Sequence, residues 1–365
     1  MSETQKSIAE IDKNLAVAET ISKDGLRFYN VKNAPFEIYG LYEPKSEGKF
    51  RRMPQEVADT VSEAVGGLSR NTAGGRVRFS TDSNTVAIIA KVSHVGRMPH
   101  FTLVGTCGFD LYLDDPVTGH SRSIKPFIPP YKVENEYESK ISFSSRRQRY
   151  FTVYFPLYAD VDELWIGVKE DASLGEGLKY RPVAPIVFYG SSITQGGCAS
   201  RPGNAYENII TRRMEIDHIN LGFSGSGKGE DAIIEYMAGL SMSAFVSDYD
   251  HNAPSADHLA VTHRKMYDAV RETHPDIPYI MVSKCDVDSN FETGVAYRRA
   301  IYENYMYARS KNDRNVYFLD GAGIFRGEDE MVATVDSVHP NDHGFFLMAN
   351  AIEAELKRGF TQMLI

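Results

Sequence analysis

Two patterns of apolar positions divide the chain. From residue 26 to about 169, short runs rich in β-branched and aromatic residues recur. They are LRFYNV (26–31), FEIYGLY (36–42), GRVRFS (75–80), TVAIIAKV (85–92), FTLVG (101–105), FDLYLDD (109–115), ISFSS (141–145), RYFTVYF (149–155) and DELWIGVK (162–169). Such runs predict strands, and several alternate: Val77 and Phe79 point one way while Arg76, Arg78 and Ser80 point the other. Turn residues fall between them at Asn33 to Pro35, Gly74-Gly75, Asp82 to Asn84 and Asp114 to Gly119, the spacing of an antiparallel sandwich. One stretch departs from this grammar. In PQEVADTVSEAV (54–65), Val57, Val61 and Val65 recur at helical spacing and predict a short helix.

The grammar changes near LKYRPVAP (178–185). Beyond it, compact apolar runs (IVFYG, HINLG, AFVSDY, YIMVSK, and VYFL before Asp320) alternate with helical patterns. The clearest of those are GEDAIIEYMAGL, SADHLAVTHRKMYDAVRETH and FETGVAYRRAIYENYMYARS, with a last helix expected from about His343 to Lys357. Alternating β and α with short connections implies a parallel sheet covered by helices on both faces. Two domains are therefore expected, an antiparallel β-sandwich over residues 1–180 and an α/β domain over 181–365. In an open parallel sheet the functional residues lie beyond the carboxyl ends of the strands.

Composition narrows the function classes. Over 365 residues, 40 Lys and Arg against 49 Asp and Glu leave a net charge of −9, and no basic cluster marks a nucleic-acid surface. Three scattered cysteines, Cys107, Cys198 and Cys285, make neither a disulfide framework nor a zinc motif. No run reaches the roughly 18 apolar residues of a membrane span. The opening MSETQKSIAEIDKN is polar and lacks the apolar centre of a secretory leader, so a cytoplasmic location is expected.

The strand ends hold residue types suited to nucleophilic acyl transfer. IVFYG runs into Ser191-Ser192-Ile193-Thr194, a turn that can present a hydroxyl at the sheet edge. A serine hydroxyl needs a base to become a nucleophile, and His339 in Asp336-Ser337-Val338-His339-Pro340 can supply it. Asp336, three residues earlier on the same loop, can hold the other ring nitrogen. The developing oxyanion needs donors: the Gly225 N–H after HINLG, the Asn252 side chain after AFVSDY, and the Ser192 N–H.

GSSIT, NLGFSG, DYDHN and DSVHP, in that order, resemble the four blocks of the SGNH (GDSL-type) hydrolases. The resemblance covers residues 186 to about 358. It implies a flavodoxin-like three-layer domain, Ser192 as nucleophile, Gly225 and Asn252 as oxyanion donors, and Asp336 and His339 as the rest of a triad. One departure is Ser191, which stands where the commoner GDS motif has Asp. In the first half, GGRVRFSTDS (74–83) and MPHFTLVGTCGFDLYLD (98–114) are similar to the jelly-roll-like, carbohydrate-binding-module-like sandwich that precedes some SGNH domains. Together the two halves resemble the two-domain carbohydrate O-acetyl esterases, including those acting on acetylated mannan, and that architecture also occurs in an acyltransferase lineage.

The resemblance implies a serine esterase that needs no cofactor and no metal, with an acetylated oligosaccharide as its partner, mannan-derived before xylan-derived. Two other readings stay open: an acyltransferase using the same residues, and a non-catalytic carbohydrate-binding protein. The stretch Gly222 to Gly229 nearly matches a phosphate-binding loop, but Gly229 stands where the magnesium-binding hydroxyl belongs. Lys228 then becomes a rim residue facing substrate. His339 and His343 have the spacing of a zinc pair, yet Pro340 between them marks only the start of a helix. His100 and Asp320 complete the candidate substrate contacts, although a structural hydrogen bond to a neighbouring loop suits Asp320 better.

Overall fold

The computed structural model describes residues 8–286, 291–326 and 330–363. After a short α1 (Ile8–Ile11), ten strands make a sandwich. They are β1 (Leu26–Asn30), β2 (Glu37–Tyr39), β3 (Arg76–Thr81), β4 (Thr85–Val95), β5 (Phe109–Asp114), β6 (Ser121–Phe127), β7 (Glu136–Ser142), β8 (Arg149–Tyr154), β9 (Ala159–Lys169) and β10 (Leu174–Glu176). One antiparallel sheet runs β1-β9-β4-β7 and the other β10-β3-β8-β5-β6, with β2 beside β3. Val77, Phe79, Ile88, Leu111, Val153 and Ile166 fill the space between them.

Three sequence expectations change here. FTLVG is not a strand: Thr102 Oγ1 accepts the Gly105 N–H at 2.9 Å and caps a short helix, α4 (Leu103–Cys107). The single helix expected over 54–65 is two, α2 (Gln55–Val61) and α3 (Glu63–Leu68), because Ser62 is extended and its hydroxyl caps the second. Strand β6 escapes the apolar pattern, and β7 ends where the expected ISFSS strand begins, because SRSIKPF and EYESKIS are edge strands, where charge and proline are tolerated.

The second half is a five-stranded, wholly parallel sheet: β11 (Ile186–Gly190), β12 (His218–Gly222), β13 (Ala244–Asp248), β14 (Tyr279–Val282) and β15 (Val316–Leu319). Its order is β12-β11-β13-β14-β15, the flavodoxin-like winding. Helices α5 (Ser192–Gln195), α6 (Tyr206–Met214), α7 (Asp231–Ala238), α8 (Ala256–Thr273), α9 (Phe291–Ser310) and α10 (Asp342–Gln362) complete it. One face packs on α7, α8 and α9 and the other on α6 and α10. Among the described residues no helix is long and apolar enough to cross a membrane.

The two halves interlock. The α2–α3 pair and the residues just before it send Met53, Ala58 and Val65 into the core beside α7, so a segment of the first half completes the α/β domain. The outward arginines of β3 meet no solvent. Arg76 pairs with Asp217 and donates to the Tyr180 hydroxyl at 3.1 Å, while Arg78 lies between Asp114 and Glu215, 4.3 Å over the Tyr180 ring. An alternating strand with one polar face here buries both faces, one in the sandwich and one against the next domain.

Candidate active site

The sheet brings three loops to one point. Gly190 of β11 stands level with Gly222 of β12 and Asp248 of β13, and the winding reverses between these strands. A crevice opens at such a reversal. A Cβ on Gly190 would collide with the Thr194 hydroxyl and the Asp248 carbonyl, so only glycine lets the turn after β11 close so tightly.

That turn starts α5. Ser191 is extended, and its hydroxyl accepts the Ile193 N–H at 3.2 Å, a helix cap. The residue that departs from the commoner motif therefore holds the turn by capping it. Ser192 follows as the first helical residue, where its own N–H is among those a helix leaves unpaired. Its carbonyl accepts N–H groups of Gly196 at 3.1 Å and Gly197 at 2.8 Å, and the hydroxyl of Tyr158 at 3.2 Å. Tyr158 belongs to the sandwich half, so that domain bonds directly to the residue carrying the hydroxyl.

Ser192 Oγ lies 2.8 Å from His339 Nε2, and His339 Nδ1 lies 2.7 Å from Asp336 Oδ2. The carboxylate has a second task. Its Oδ1 accepts the N–H groups of Val338 at 3.1 Å and His339 at 2.7 Å, closing a turn in which Ser337 adopts a left-handed φ of 71°. Partial burial raises the Asp336 pKa, but these N–H groups and the imidazole outweigh it and hold the carboxyl below its ordinary range. Asp336 thus stays an anion beside the ring at neutral pH.

The loop after β12 turns at Gly225, whose φ of 67° and open surroundings suit glycine. Ser226 and Gly227 donate to the Phe223 carbonyl, and so does the Asn252 amide at 3.0 Å. Arg52, missed by sequence reasoning, anchors the root of this loop. Its buried guanidinium donates to the carbonyls of Gly222 at 2.6 Å and Leu68 at 2.7 Å and lies 4.8 Å over the Phe223 ring.

Asn252 rides on a short turn whose neighbour is ionised. His251 Nε2 lies 2.7 Å from Asp286 Oδ1, and Nδ1 faces Asp250 Oδ1 at 3.3 Å, an ion-pair distance with poor hydrogen-bond geometry. Burial by itself would lower the His251 pKa, but the two carboxylates raise it to about 10; Asp286, despite its own burial, is lowered to about 2. Relative to ordinary values of 6.5 and 3.8, the pair's contribution to stability is complete between those two pH values. It fades as pH rises toward 10 and His251 loses its proton, and as pH falls toward 2 and Asp286 gains one. His251→Ala removes the cation between Asp250 and Asp286 and should cost about 3 kcal/mol near pH 6, with a smaller deficit at pH 9. Melting curves of both proteins at the two pH values check this, and a deficit independent of pH would show that His251 is uncharged.

The other candidates separate. His100, on the loop before α4, reaches the triad: its Nε2 is 3.7 Å from Asp336 Oδ2 and its ring centroid 5.9 Å from that of His339. Phe101 beside it lies 6.3 Å from the His339 ring and 4.8 Å from Tyr158. Lys228 is exposed on the rim, with its carbonyl held by His258, and no contact joins its side chain to the triad among the described residues. Asp320 is bound by Arg298, which donates from both Nε and a terminal nitrogen to its two oxygens, so its structural partner is α9 and not the neighbouring loop. Cys198 is buried, with its pKa pushed up to about 12 by burial and by Asp336, and its sulfur lies close to both His100 and His339. Neither the His100 nor the Cys198 contact has a local sequence signal, because each partner is 98 or more residues away.

Comparison with known proteins adds to this geometry. Residues 183–357 match the GDSL-like lipase/acylhydrolase family, and residues 26–174 match the N-terminal domain model of SGNH hydrolase-type esterases. A candidate GDSL-like lipase from Bacteroides ovatus superposes with a TM-score of 0.82 at 28% identity, covering 92% of this chain and 98% of that one. A salicylyl-acyltransferase from a tetracycline biosynthetic pathway follows at 0.71 and 18%, covering 92% and 98%. A family two carbohydrate esterase from Clostridium thermocellum, in complex with cellohexaose, has 0.60 and 14%, covering 89% and 99%. These last two likenesses show the fold alone. No curated protein sequence matches the chain.

Proposed function

We propose, from the premise that this chain is a two-domain SGNH (GDSL-type) carboxylic ester hydrolase, that it removes O-acetyl groups from plant-derived oligosaccharides, mannan-derived before xylan-derived. The observation that carries the reading is the continuous hydrogen-bonded line from Ser192 through His339 to Asp336 at the switch point of the sheet. In the cycle, His339 takes the Ser192 proton as Oγ attacks the ester carbonyl, and Asp336 stabilises the imidazolium. The N–H groups of Ser192 and Gly225 and the Asn252 amide receive the oxyanion. His339 then protonates the leaving sugar hydroxyl, and water activated by the same ring frees the acid.

A short acyl group is supported by the aromatic rings beside the triad, where Phe101 packs on Tyr158 and stands 6.3 Å from the His339 ring. The sandwich half supports a sugar as the leaving group, because its His100 and Phe101 stand beside the His339 ring that would protonate it. Transfer of the acyl group to another hydroxyl remains the second reading, since the aromatic wall beside His339 would shelter an acyl-enzyme from water.

Asn252→Ala removes one oxyanion donor and should lower kcat by about a hundredfold with KM little changed. Steady-state kinetics on an aryl acetate read this, and a KM effect alone would assign Asn252 to substrate binding. The reading itself is tested by acetate release from acetylated mannan- and xylan-derived oligosaccharides, compared with Ser192→Ala. Release confined to the wild type is expected. Aryl acetate cleavage without release from either glycan would overturn the sugar assignment and leave the ester chemistry.

A further inference from the structure

His100, Cys198 and His339 come from three distant parts of the chain, yet one ligand atom of each lies within 4.8 Å of the others. Two are imidazole nitrogens and one is a thiol, a donor set that suits zinc. Two of the three lie in the α/β domain and the third reaches across from the sandwich. We infer that this cluster is an inhibitory zinc site, in which the metal takes the nitrogen that would otherwise accept the Ser192 proton. The inference rests on the triad reading only for its inhibitory consequence, because binding needs the three side chains alone.

The surroundings match a metal ligand's needs. A ligating histidine is usually oriented by a carboxylate on its other ring nitrogen, and Asp336 Oδ2 does this for His339 at 2.7 Å. The hydrogen bond that presents the Nε2 lone pair to Ser192 thus presents it equally to a cation. His100 is exposed, so it offers a route from solvent and can move. Tetrahedral zinc holds nitrogen at about 2.0 Å and sulfur at about 2.3 Å, which places ligand atoms roughly 3.4 Å apart. With its ligand atoms within 4.8 Å of one another, the cluster must therefore tighten by up to about 1.4 Å on binding. Binding forms a Zn–S bond, two Zn–N bonds and a bond to water as the fourth ligand. The Cys198 proton passes to solvent, and the Ser192 hydroxyl loses its acceptor.

This device differs from the zinc pair His339 and His343 considered from sequence. His343 lies within the first turn of α10, its N–H bonded to Asn341, and it is not among the three.

The test has two arms on metal-free protein. Zinc chloride titrated against aryl acetate hydrolysis should inhibit, and EDTA should restore the rate. Cys198→Ser should keep the basal rate and need at least about tenfold more zinc for the same inhibition. In the second arm cobalt chloride is added to Ser192→Ala protein, which is inactive but retains all three ligands. A thiolate-to-cobalt charge-transfer absorption is expected there and should vanish when Cys198→Ser or His100→Gln is added. Equal zinc sensitivity in wild type and Cys198→Ser, or no charge-transfer band in the Ser192→Ala protein, overturns the site. Absence of aryl acetate hydrolysis would fault the triad reading, and the cobalt arm would still decide the metal.

Discussion

Ser192→Ala is expected to lower aryl acetate turnover by about 10⁵-fold or more while the fold stays intact. The physical reason is that no other oxygen can take its place. Oγ is the atom held at 2.8 Å from His339 Nε2, and the turn presenting it is organised by bonds that alanine keeps. The Ser191 cap uses the Ile193 N–H, and the Ser192 carbonyl keeps Gly196, Gly197 and Tyr158. Melting temperature should therefore change little, and oligosaccharide binding should survive. Kinetics and a thermal melt on the same preparation separate the alternatives. A loss of activity accompanied by unfolding would assign Ser192 to the turn, and retained activity would remove it from the chemistry. Binding of glycans by a wild type that turns over no ester would favour a carbohydrate-binding protein.

Asp336→Asn should lower kcat by about 10³- to 10⁴-fold with a modest change in KM. Asparagine can keep its oxygen toward the Val338 and His339 N–H groups, so the turn survives. Its NH₂ then faces His339 Nδ1, where the carboxylate stood. An N–H there favours the tautomer with the proton on Nε2, which can no longer accept from Ser192. The loss of negative charge also withdraws support from the imidazolium. A decrease smaller than about tenfold would make Asp336 a turn residue only, with the ring held by its other neighbours.

Both predictions rest on residues that were readable before any coordinates. The Asp336 and His339 pair lies on one loop at a three-residue spacing, so a single turn sets its geometry. Ser192 follows an apolar run that could only be a buried strand, and HINLG and AFVSDY mark the neighbouring strands in the same way. These signals are local: strand, cap and turn are each decided within a few residues. The parallel sheet and its flavodoxin-like order follow from them with few alternatives, because crossover connections are short and of one hand.

Local signals also misled where packing overrode them. FTLVG has the composition of a strand, but Thr102 caps it into α4, and there Gly105 sits where any side chain would collide with the Ala199 carbonyl. SRSIKPF and most of EYESKIS lack the apolar run of a strand, yet their backbones find partners at the sheet edges. Hydrogen bonds to β5 and β4 outweigh a weak apolar pattern.

From its order of residues alone this chain determined two domains, a parallel sheet, and the four loops that meet at its carboxyl edge. The tertiary structure alone decided that α2 and α3 complete the second domain and that the Arg76 and Arg78 face of β3 is buried. It also decided that Asp320 belongs to Arg298, and that His100, Phe101 and Tyr158 cross from the sandwich to Ser192 and His339. The reason is one of range. A turn or a helical period is written in neighbouring residues, whereas a contact such as His100 with Asp336 exists only once two separately folded surfaces have packed against each other.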